Sequence, residues 1–277
     1  MKLIMTLLVR DEEDIIKENI DFHYSQGVDF FIVTDNKSVD STASILKEYI
    51  NKGIVHYIFE PDDNYNQSAW VTRMAQMAYT KYNADWVINN DADEFWFPTN
   101  DNNLKQHFEK ISSSFNVLML KRINFVPTDI EGSTFYEKMI YKESKSLNSA
   151  GTPILPKVAH RGDPNIVVGQ GNHMVSNINV NLTKNPSIEI FHFPIRERNQ
   201  FCNKIIKGGS AYERNTEMPK EVGSSWRKLY KEYTKEKNLN NYLNESIFNN
   251  KQIKEALSTG YLIEDKRLYN YLDAFYN

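Results

Sequence analysis

The segment Leu3–Val9 reads Leu-Ile-Met-Thr-Leu-Leu-Val, an almost continuous apolar run near the start of the 277-residue chain. A run of this kind, without polar alternation, is typical of a central parallel strand whose two faces are both covered. It is too short to span a bilayer, and the charged residues that follow it include no small-residue cleavage site. The segment therefore predicts the buried first strand of an α/β domain.

Strand and helix signals alternate through the first half of the chain. Further strands are predicted at residues 28–34, 54–59, 85–89 and 117–125. The first predicted helix follows Asp11, which is expected to cap it, and the second runs from Asp40 or Ser41 to Gly53. Two more helices are predicted at residues 67–82 and 104–111. This order predicts a mostly parallel sheet with right-handed crossovers. Because ligands bind beyond the carboxyl ends of such strands, the polar segments 10–11, 35–36 and 91–94 mark the expected site.

The second half of the chain is less regular. Gly and Pro are frequent between residues 131 and 199, which indicates hairpins and loops, and from residue 200 onward the pattern becomes helical. We therefore predict an α/β domain at residues 1–200, with a nucleotide-binding half at 1–130 and a loop-rich acceptor half at 131–200. Residues 201–277 are predicted to form a helical C-terminal extension.

The composition is that of a globular protein, with 40% hydrophobic and 25% charged residues. A net charge of −3 gives no electrostatic footprint for nucleic acid and argues against that class of partner. The single cysteine, Cys202, excludes an intramolecular disulfide and a cysteine-based zinc site, which fits a cytoplasmic setting. Trp226, Tyr230 and Tyr233 are expected to pack in the core; contact of the surrounding lysines with the inner face of a membrane is the alternative.

Asp91 and Asp93 follow the predicted fourth strand directly, with one residue between them. Side chains two apart on an extended segment point the same way, and two adjacent carboxylates repel each other unless a cation lies between them. Mg²⁺ and Mn²⁺ bind carboxylate, phosphate and water oxygens, and they neutralise charge on a departing diphosphate. The pair therefore predicts a Mn²⁺ or Mg²⁺ site, and the alternative is a solvated acidic turn.

Two further residues have sequence positions that suit ligand binding. Asp35 lies just past the second strand, where its carboxylate is expected to accept hydrogen bonds from a base or a ribose. The alternative is a helix cap, an interpretation that suits Asp40 better. His192 lies at a predicted strand end beside Pro194, and a neutral imidazole there is a candidate third metal ligand. A hydrogen-bonded structural histidine is the alternative.

These motifs together resemble the family 2 glycosyltransferases with the GT-A fold. The matching segments lie in order at residues 8–12, 31–40, 73 and 91–95. Asp-Ala-Asp-Glu-Phe at residues 91–95 is similar to the branch whose motif reads D-x-D-E-F, in which segments like those at 157–161, 171–173 and 192–196 follow. The resemblance covers roughly residues 2–210. It implies a Rossmann-like, mostly parallel sheet flanked by helices, and a glycosyltransferase activity.

The resemblance also implies roles for individual residues. It places Arg10 and Asp11 along the nucleotide pocket and Asp35 at the base, which is expected to be uracil. It places Arg73 near the base or the diphosphate. Asp91 and Asp93 are placed at the metal, the ribose and the diphosphate. The family usually has two acidic residues in its second motif, whereas this chain has Asp35-Asn36. The base contacts are therefore expected to differ.

Residues from the second half of the chain are candidates for the remaining roles. An inverting transfer needs a base beside the acceptor hydroxyl, and the candidates are Asp163, His173 and Glu189. A retaining transfer does not need that base in the same place, and the sequence leaves the stereochemistry open. Three cations are candidates for binding the diphosphate, namely Lys157, Arg161 and Arg196. The alternative is that each is a solvated surface charge. A mobile loop that closes over the donor is expected at Lys204, Lys207 and Gly208-Gly209.

The leading interpretation is transfer of a hexose-like sugar from a nucleotide-sugar, expected to be a UDP-sugar, to a glycan or lipid-linked acceptor in polysaccharide biosynthesis. A catalytically silent nucleotide-sugar binding module is one alternative. A phosphotransferase that uses D-x-D is another, although such enzymes place their nucleophilic Asp after the first strand. The sequence does not determine the oligomeric state.

Overall fold

A computed structural model describes residues 1–100, 103–148, 151–184, 187–216 and 218–277. Its strands are β1 (Leu3–Val9), β2 (Phe30–Asp35), β3 (Val55–Phe59), β4 (Trp86–Asp91), β5 (Glu94–Pro98), β6 (Val117–Leu120), β7 (Arg122–Asn124), β8 (Tyr141–Glu143), β9 (Lys157–Arg161), β10 (Val167–Val168), β11 (Val175–Ser176), β12 (Leu182–Lys184), β13 (Ile188–His192) and β14 (Leu262–Glu264). Its helices are α1 (Ile16–Ser25), α2 (Thr42–Asn51), α3 (Gln67–Thr80), α4 (Leu104–Glu109), α5 (Phe135–Lys138), α6 (Arg198–Arg214), α7 (Ser224–Glu236), α8 (Asn240–Ser246), α9 (Asn250–Ser258) and α10 (Arg267–Tyr276), with a 3₁₀ turn at Gln170–Asn172.

The largest sheet has the strand order β12-β6-β9-β4-β1-β2-β3. Strands β4, β1, β2 and β3 run parallel to one another, and β12 is parallel to β6. Strand β9 is antiparallel to both of its neighbours, β4 and β6. The predicted fold class, an α/β fold of the GT-A type with a mostly parallel central sheet, is therefore confirmed. Smaller sheets pair β5-β13-β7, β10-β11 and β14-β8.

The strand predicted at residues 117–125 is divided in two. β6 ends at Leu120, and β7 begins at Arg122 and belongs to a different sheet. Lys121, between the two strands, is exposed, whereas Leu120 and Ile123 on either side of it are buried.

Asp11 does not cap α1, which corrects the prediction from sequence. The helix begins at Ile16, and Asp11 lies before it with a φ of 55°. Its Oδ1 accepts a hydrogen bond from Val39 N at 2.8 Å, and its own N–H donates to Ser38 Oγ at 2.9 Å. Asp11 therefore holds the loop that follows β2.

Helix α3 covers one face of the central sheet. Its buried side chains include Trp70, Met74 and Ala78, while Met77 is half-buried. Met74 and Ala78 share a cluster with Ile4 and Val87 from the strands. Burying a large apolar side chain stabilises a fold by about 1.5–3 kcal/mol, so this contact fixes α3 on the sheet.

Contacts within the chain group it into two compact units. The first comprises Met1–Asp62, Asn66–Arg122 and Leu155–Phe191, and the second comprises Asp63–Tyr65, Ile123–Ile154 and His192–Asn277. The second unit contains α5 to α10 and has an apolar cluster that includes Phe201, Leu229 and Leu243. The predicted domain organisation, with a boundary at residue 200, stays a prediction. Within the described ranges, no helix has the length and apolar character that crossing a membrane requires.

The mobile loop predicted at residues 204–209 is wrong, because these residues lie inside α6. A Cβ on Gly208 would lie 2.4 Å from the Trp226 ring, and one on Gly209 would lie 2.3 Å from Tyr230 Cβ. The two glycines therefore let α6 approach α7 closely, and the predicted packing of Trp226 and Tyr230 is confirmed. Lys204 Nζ lies 6.0 Å from the centroid of the Trp226 ring, and its predicted contact with the donor stays a prediction.

Gly209→Ala is expected to lower the free energy of unfolding. The added methyl group must push α6 and α7 apart, and overpacking of this kind costs about 1–3 kcal/mol, more than the roughly 1 kcal/mol that alanine gains in a helix. Urea unfolding measures the difference. Ser210→Ala, one position along the same helix, is the control. A Gly209→Ala protein as stable as this control would contradict the close helix contact.

Candidate functional site

The carboxyl ends of β2, β1 and β4 lie side by side at one edge of the central sheet. Val9 pairs with Asp35 on one side of β1, and Leu8 pairs with Asp91 on the other. The parallel register therefore brings the two acidic segments to the same edge, as the sequence predicts.

The acidic motif forms a turn between two strands. β4 ends at Asp91, residues 92–93 form the turn, and β5 begins at Glu94. The expectation that Asp91 and Asp93 share one extended segment is therefore wrong. The turn buries Asp93, which is 4% exposed, and Glu94, which is fully buried. Asp91 remains partly exposed.

Asp91 binds groups from two later segments of the chain. Its Oδ2 forms an ion pair with Lys157 Nζ, and its Oδ1 accepts a hydrogen bond from Asn172 Nδ2 at 3.0 Å. Lys157 is fully buried, and its Nζ also lies 3.3 Å from Glu94 Oε1. Lys157 is therefore an internal counterion for two carboxylates, which excludes the interpretation as a solvated surface charge.

Glu94 is a member of this cluster that carries no predicted role of its own. Its Oε1 accepts a hydrogen bond from Arg122 Nη1 at 3.0 Å. Its Oε2 is buried and has no hydrogen-bond partner among the described residues. Burial raises the pKa of Glu94, and the nearby Asp91 and Asp93 add to the rise, while Lys157 and Arg122 oppose it. The only signal in the sequence is the position of Glu94 directly after Asp93.

His173 is one of the three candidate bases, and the structure places it beside this cluster. Its neighbour Asn172 binds Asp91, and its own Nδ1 lies 2.8 Å from Pro156 O. A carbonyl only accepts hydrogen bonds, so Nδ1 carries the hydrogen and Nε2 remains an acceptor. Burial lowers the pKa of His173 to about 4, with the charge of Lys157 adding to the effect. The ring is therefore neutral at pH 7.

Asp163 and Arg161 lie near the amino end of β4, whereas Asp91 lies at its carboxyl end. Arg161 pairs with Trp86, the first residue of β4, and its guanidinium stacks 4.6 Å over the Trp86 ring. Asp163 follows and accepts a hydrogen bond from Asn165 N at 2.7 Å. Asp91 lies five positions after Trp86 along this strand, a distance of roughly 17 Å. The antiparallel direction of β9 therefore keeps Asp163 and Arg161 away from the acidic turn. Glu189, the third candidate base, is half-buried in β13.

Asp35 forms hydrogen bonds within its own surroundings. Its Oδ1 accepts from Ser38 N at 2.9 Å and its Oδ2 accepts from the Tyr57 hydroxyl at 2.9 Å. Burial, with the hydrogen bond to Asp35, raises the pKa of Tyr57 to about 12. The bond to the start of α2 comes instead from Asp40, whose Oδ1 accepts from Thr42 N. Asp40 rather than Asp35 therefore binds the first turn of α2, although the N-cap position itself is Ser41.

Asn36 connects the two arginines that the sequence predicts at the nucleotide. Its Oδ1 lies 3.5 Å from Arg10 Nη1, and its Nδ2 donates to the carbonyls of Glu60 and Asp62. Glu60 in turn pairs with Arg73 at 2.9 Å. A carboxylate at position 36 has no hydrogen to donate to these two carbonyls. The departure from the usual acidic pair therefore has a structural reason.

In the second unit, His192 has a hydrogen-bond geometry that suits a metal ligand. Its Nδ1 lies 2.8 Å from Asn124 Oδ1, and Asn124 Nδ2 donates to Glu143 Oε2 at 2.9 Å, which fixes the amide orientation. Nδ1 therefore carries the hydrogen, and Nε2 is the unprotonated nitrogen of the ring. The role of His192 as a metal ligand stays a prediction. Arg196 is buried and donates to Phe193 O, so the interpretation as a surface charge is excluded.

His23 forms hydrogen bonds with Asn19 and with β5, the strand that follows the acidic turn. It is fully buried in α1, its Nδ1 donates to Asn19 O at 2.8 Å, and its Nε2 accepts from Trp96 N at 3.1 Å. Burial lowers the pKa of His23 to about 3, although the bond to Asn19 opposes this. Protonation would convert Nε2 from an acceptor into a donor that faces the Trp96 N–H.

The stability of the protein is expected to fall as the pH is lowered from about 6.5 towards 3. In this window an unfolded His23 binds a proton that the folded state excludes, so unfolding is favoured by up to about 1.4 kcal/mol per pH unit. His23→Gln, which cannot titrate, should show a shallower fall in urea unfolding between pH 6 and pH 4. His56→Gln, at a half-buried position, is the comparison: burial lowers the pKa of His56 as well, and its replacement should change the slope less. An unchanged slope in His23→Gln would contradict the buried neutral ring.

Comparison with known proteins adds a family match. The family model described as glycosyltransferase family 92 matches residues 5–245. No curated protein matches the chain. A crystal structure of S. aureus TarS 1–349 is 14% identical with a TM-score of 0.46, covering 82% of this chain and 69% of that one. A glucosyl-3-phosphoglycerate synthase from Mycobacterium tuberculosis, solved with Mn²⁺, UDP and glucosyl-3-phosphoglycerate, is 18% identical with a TM-score of 0.34, covering 58% and 56%.

Proposed function

Because the chain belongs to glycosyltransferase family 92, we propose that it transfers a sugar from a UDP-sugar to a hydroxyl of a glycan or lipid-linked acceptor, with Mn²⁺ or Mg²⁺ at the acidic turn. The chain is a glycosyltransferase that acts on a nucleotide-sugar. The sequence resemblance points to family 2, whereas the matching family model is that of family 92. The assignment as a glycosyltransferase holds, and the narrower D-x-D-E-F branch stays a prediction. The nucleotide, the metal and the acceptor belong to the proposal.

The observation that carries the proposal is the charge of the acidic turn. The charges of Asp91, Asp93, Lys157 and Arg122 all act on Glu94, so the turn gathers three carboxylates and two cations. The donor set consists of oxygen atoms, and Glu94 Oε2 is buried without a hydrogen-bond partner in the described part of the chain. This set fits a hard divalent cation, which Asp91 and Asp93 would hold. Such a cation neutralises the negative charge on the departing diphosphate.

The residues at the end of β2 support the choice of a nucleotide. Asp35 is held by Ser38 and Tyr57, and Arg10 is oriented by Asn36. These contacts fix a carboxylate and a guanidinium at the edge where a base and its ribose would bind. Uracil is the base that the family resemblance implies, and Arg73, paired with Glu60, is proposed to approach it or the diphosphate.

His173 is the residue that we propose as the base for an inverting transfer. Its unprotonated Nε2 is able to take a proton from the acceptor hydroxyl. The low pKa of the free ring makes it a weak base at pH 7, and the negative charge of a bound diphosphate would raise that pKa. Asp163, at the far edge of the sheet, has no comparable position.

The experiment that tests the proposed function measures release of UDP from UDP-sugars by the purified protein, with and without Mn²⁺. We expect Mn²⁺-dependent release that EDTA abolishes, and little release of GDP from matched GDP-sugars. A thermal-shift series identifies the sugar, because a donor at 100 times its Kd stabilises the fold by about 2.7 kcal/mol. Equal rates in EDTA would overturn the metal assignment, and a preference for GDP-sugars would overturn the choice of uracil.

A further inference from the structure

Asn19 holds the acidic turn through its backbone. It lies in α1 and is fully buried. Its Nδ2 donates to Ala92 O at 2.8 Å and to Glu94 O at 2.9 Å. These two carbonyls belong to the residues immediately before and after Asp93. One amide group therefore fixes the backbone on both sides of the predicted metal ligand.

The orientation of the Asn19 amide is determined by its neighbours. His23 Nε2 accepts a hydrogen bond from Trp96 N, so His23 Nδ1 carries the hydrogen, which it shares between Asn19 O at 2.8 Å and Asn19 Oδ1 at 3.1 Å. Asn90 Nδ2 also donates to Asn19 Oδ1, at 3.4 Å. With its oxygen committed to these two donors, Asn19 can only present its nitrogen to the turn.

Burying the Asn19 amide among apolar side chains costs free energy unless the amide forms hydrogen bonds, here with the turn. Its neighbours in α1, Ile16, Ile20 and Phe22, are fully buried and apolar. Asparagine is also a poor helix former compared with leucine. An apolar side chain would satisfy the packing of α1, but it would leave Ala92 O without the bond that Asn19 supplies.

We propose that Asn19 is a positioning residue for donor binding, because it holds the Asp93 carboxylate where the metal and diphosphate require it. This inference rests on the proposed function. Asn19 has no contact with the donor in this scheme and acts through the turn at residues 92–94. A displacement of about 1 Å at a catalytic group is enough to cost roughly 100-fold in rate, so a small relaxation of the turn has a measurable effect.

The test compares Asn19→Leu with Thr6→Val. Leucine has a similar branched shape but no amide hydrogens. Thr6→Val removes another fully buried hydrogen bond in the same unit, from Thr6 Oγ1 to Asn89 Oδ1 at 2.9 Å, without contact with the turn. Calorimetric titration with UDP and Mn²⁺ is carried out at a temperature at which both variants are folded. We expect Kd to rise by about 10-fold or more in Asn19→Leu and to stay within about 2-fold in Thr6→Val.

The possible results of this titration distinguish a failure of the positioning role from a failure of the proposed function. An equal Kd in the two variants would overturn the positioning role and leave the proposed function standing. A wild-type protein that does not bind UDP with Mn²⁺ would overturn the proposed function and the inference with it. If Asn19→Leu does not fold, Asn19→Ser replaces it with the same expected rise in Kd, because a serine hydroxyl is too short to span both carbonyls.

Discussion

Sugar transfer by the Asp93→Asn variant is expected to fall by about 100- to 1,000-fold. A metal ion supplies several kcal/mol of charge stabilisation, and each 1.4 kcal/mol of it corresponds to about a factor of ten in rate. Asparagine keeps the shape of the buried Asp93 side chain but removes the charge that the proposed metal needs. The fold should therefore remain intact while activity is lost.

The measurement is UDP release over a range of Mn²⁺ concentrations. In Asp93→Asn, the Mn²⁺ concentration that gives half of the maximal rate should also rise. Asp163→Asn is the matched control, because this carboxylate lies at the amino end of β4 and should tolerate the same change. Equal activity of Asp93→Asn and the wild type would remove Asp93 from the metal site.

Lys157→Met is expected to lower the free energy of unfolding by about 3–5 kcal/mol, the usual result of removing one partner of a buried ion pair. The ammonium lies between the carboxylates of Asp91 and Glu94, and both Lys157 and Glu94 are fully buried. Without it, Glu94, whose pKa burial already raises, must take up a proton or remain charged next to Asp91. A melting temperature lower by roughly 10 °C should result for a protein of this size.

Two further variants separate the ion pair from general damage to the fold. Lys157→Met combined with Glu94→Gln should regain part of the stability, because a neutral amide does not need the missing ammonium. Lys17→Met removes an exposed partner of Asp21 and should change the stability by less than about 0.5 kcal/mol. If Lys157→Met were as stable as Lys17→Met, the buried cluster would be disproved.

Local patterns in the sequence predict some features of the site well and others poorly. The β1 segment is predicted to the residue, and the strand ends at Asp35 and Asp91 are predicted within two residues. The glycine pair in α6 shows the opposite case. Helix propensity alone predicts a loop at Gly208-Gly209. In the structure, the absence of a Cβ on these glycines leaves room for the side chains of Trp226 and Tyr230 from α7.

The sequence by itself determined the order of the strands along the chain and the edge at which Asp35 and Asp91 meet. Both follow from apolar runs and from the handedness of short crossovers, which are local properties. Only the tertiary structure decided the partners of the acidic turn. Asn19 lies 73 positions from Ala92, and Lys157 and Asn172 lie 66 and 81 positions from Asp91. The antiparallel insertion of β9 beside β4 brings Lys157 to Asp91, because the choice of a pairing strand depends on long-range packing and not on the periodicity of either segment.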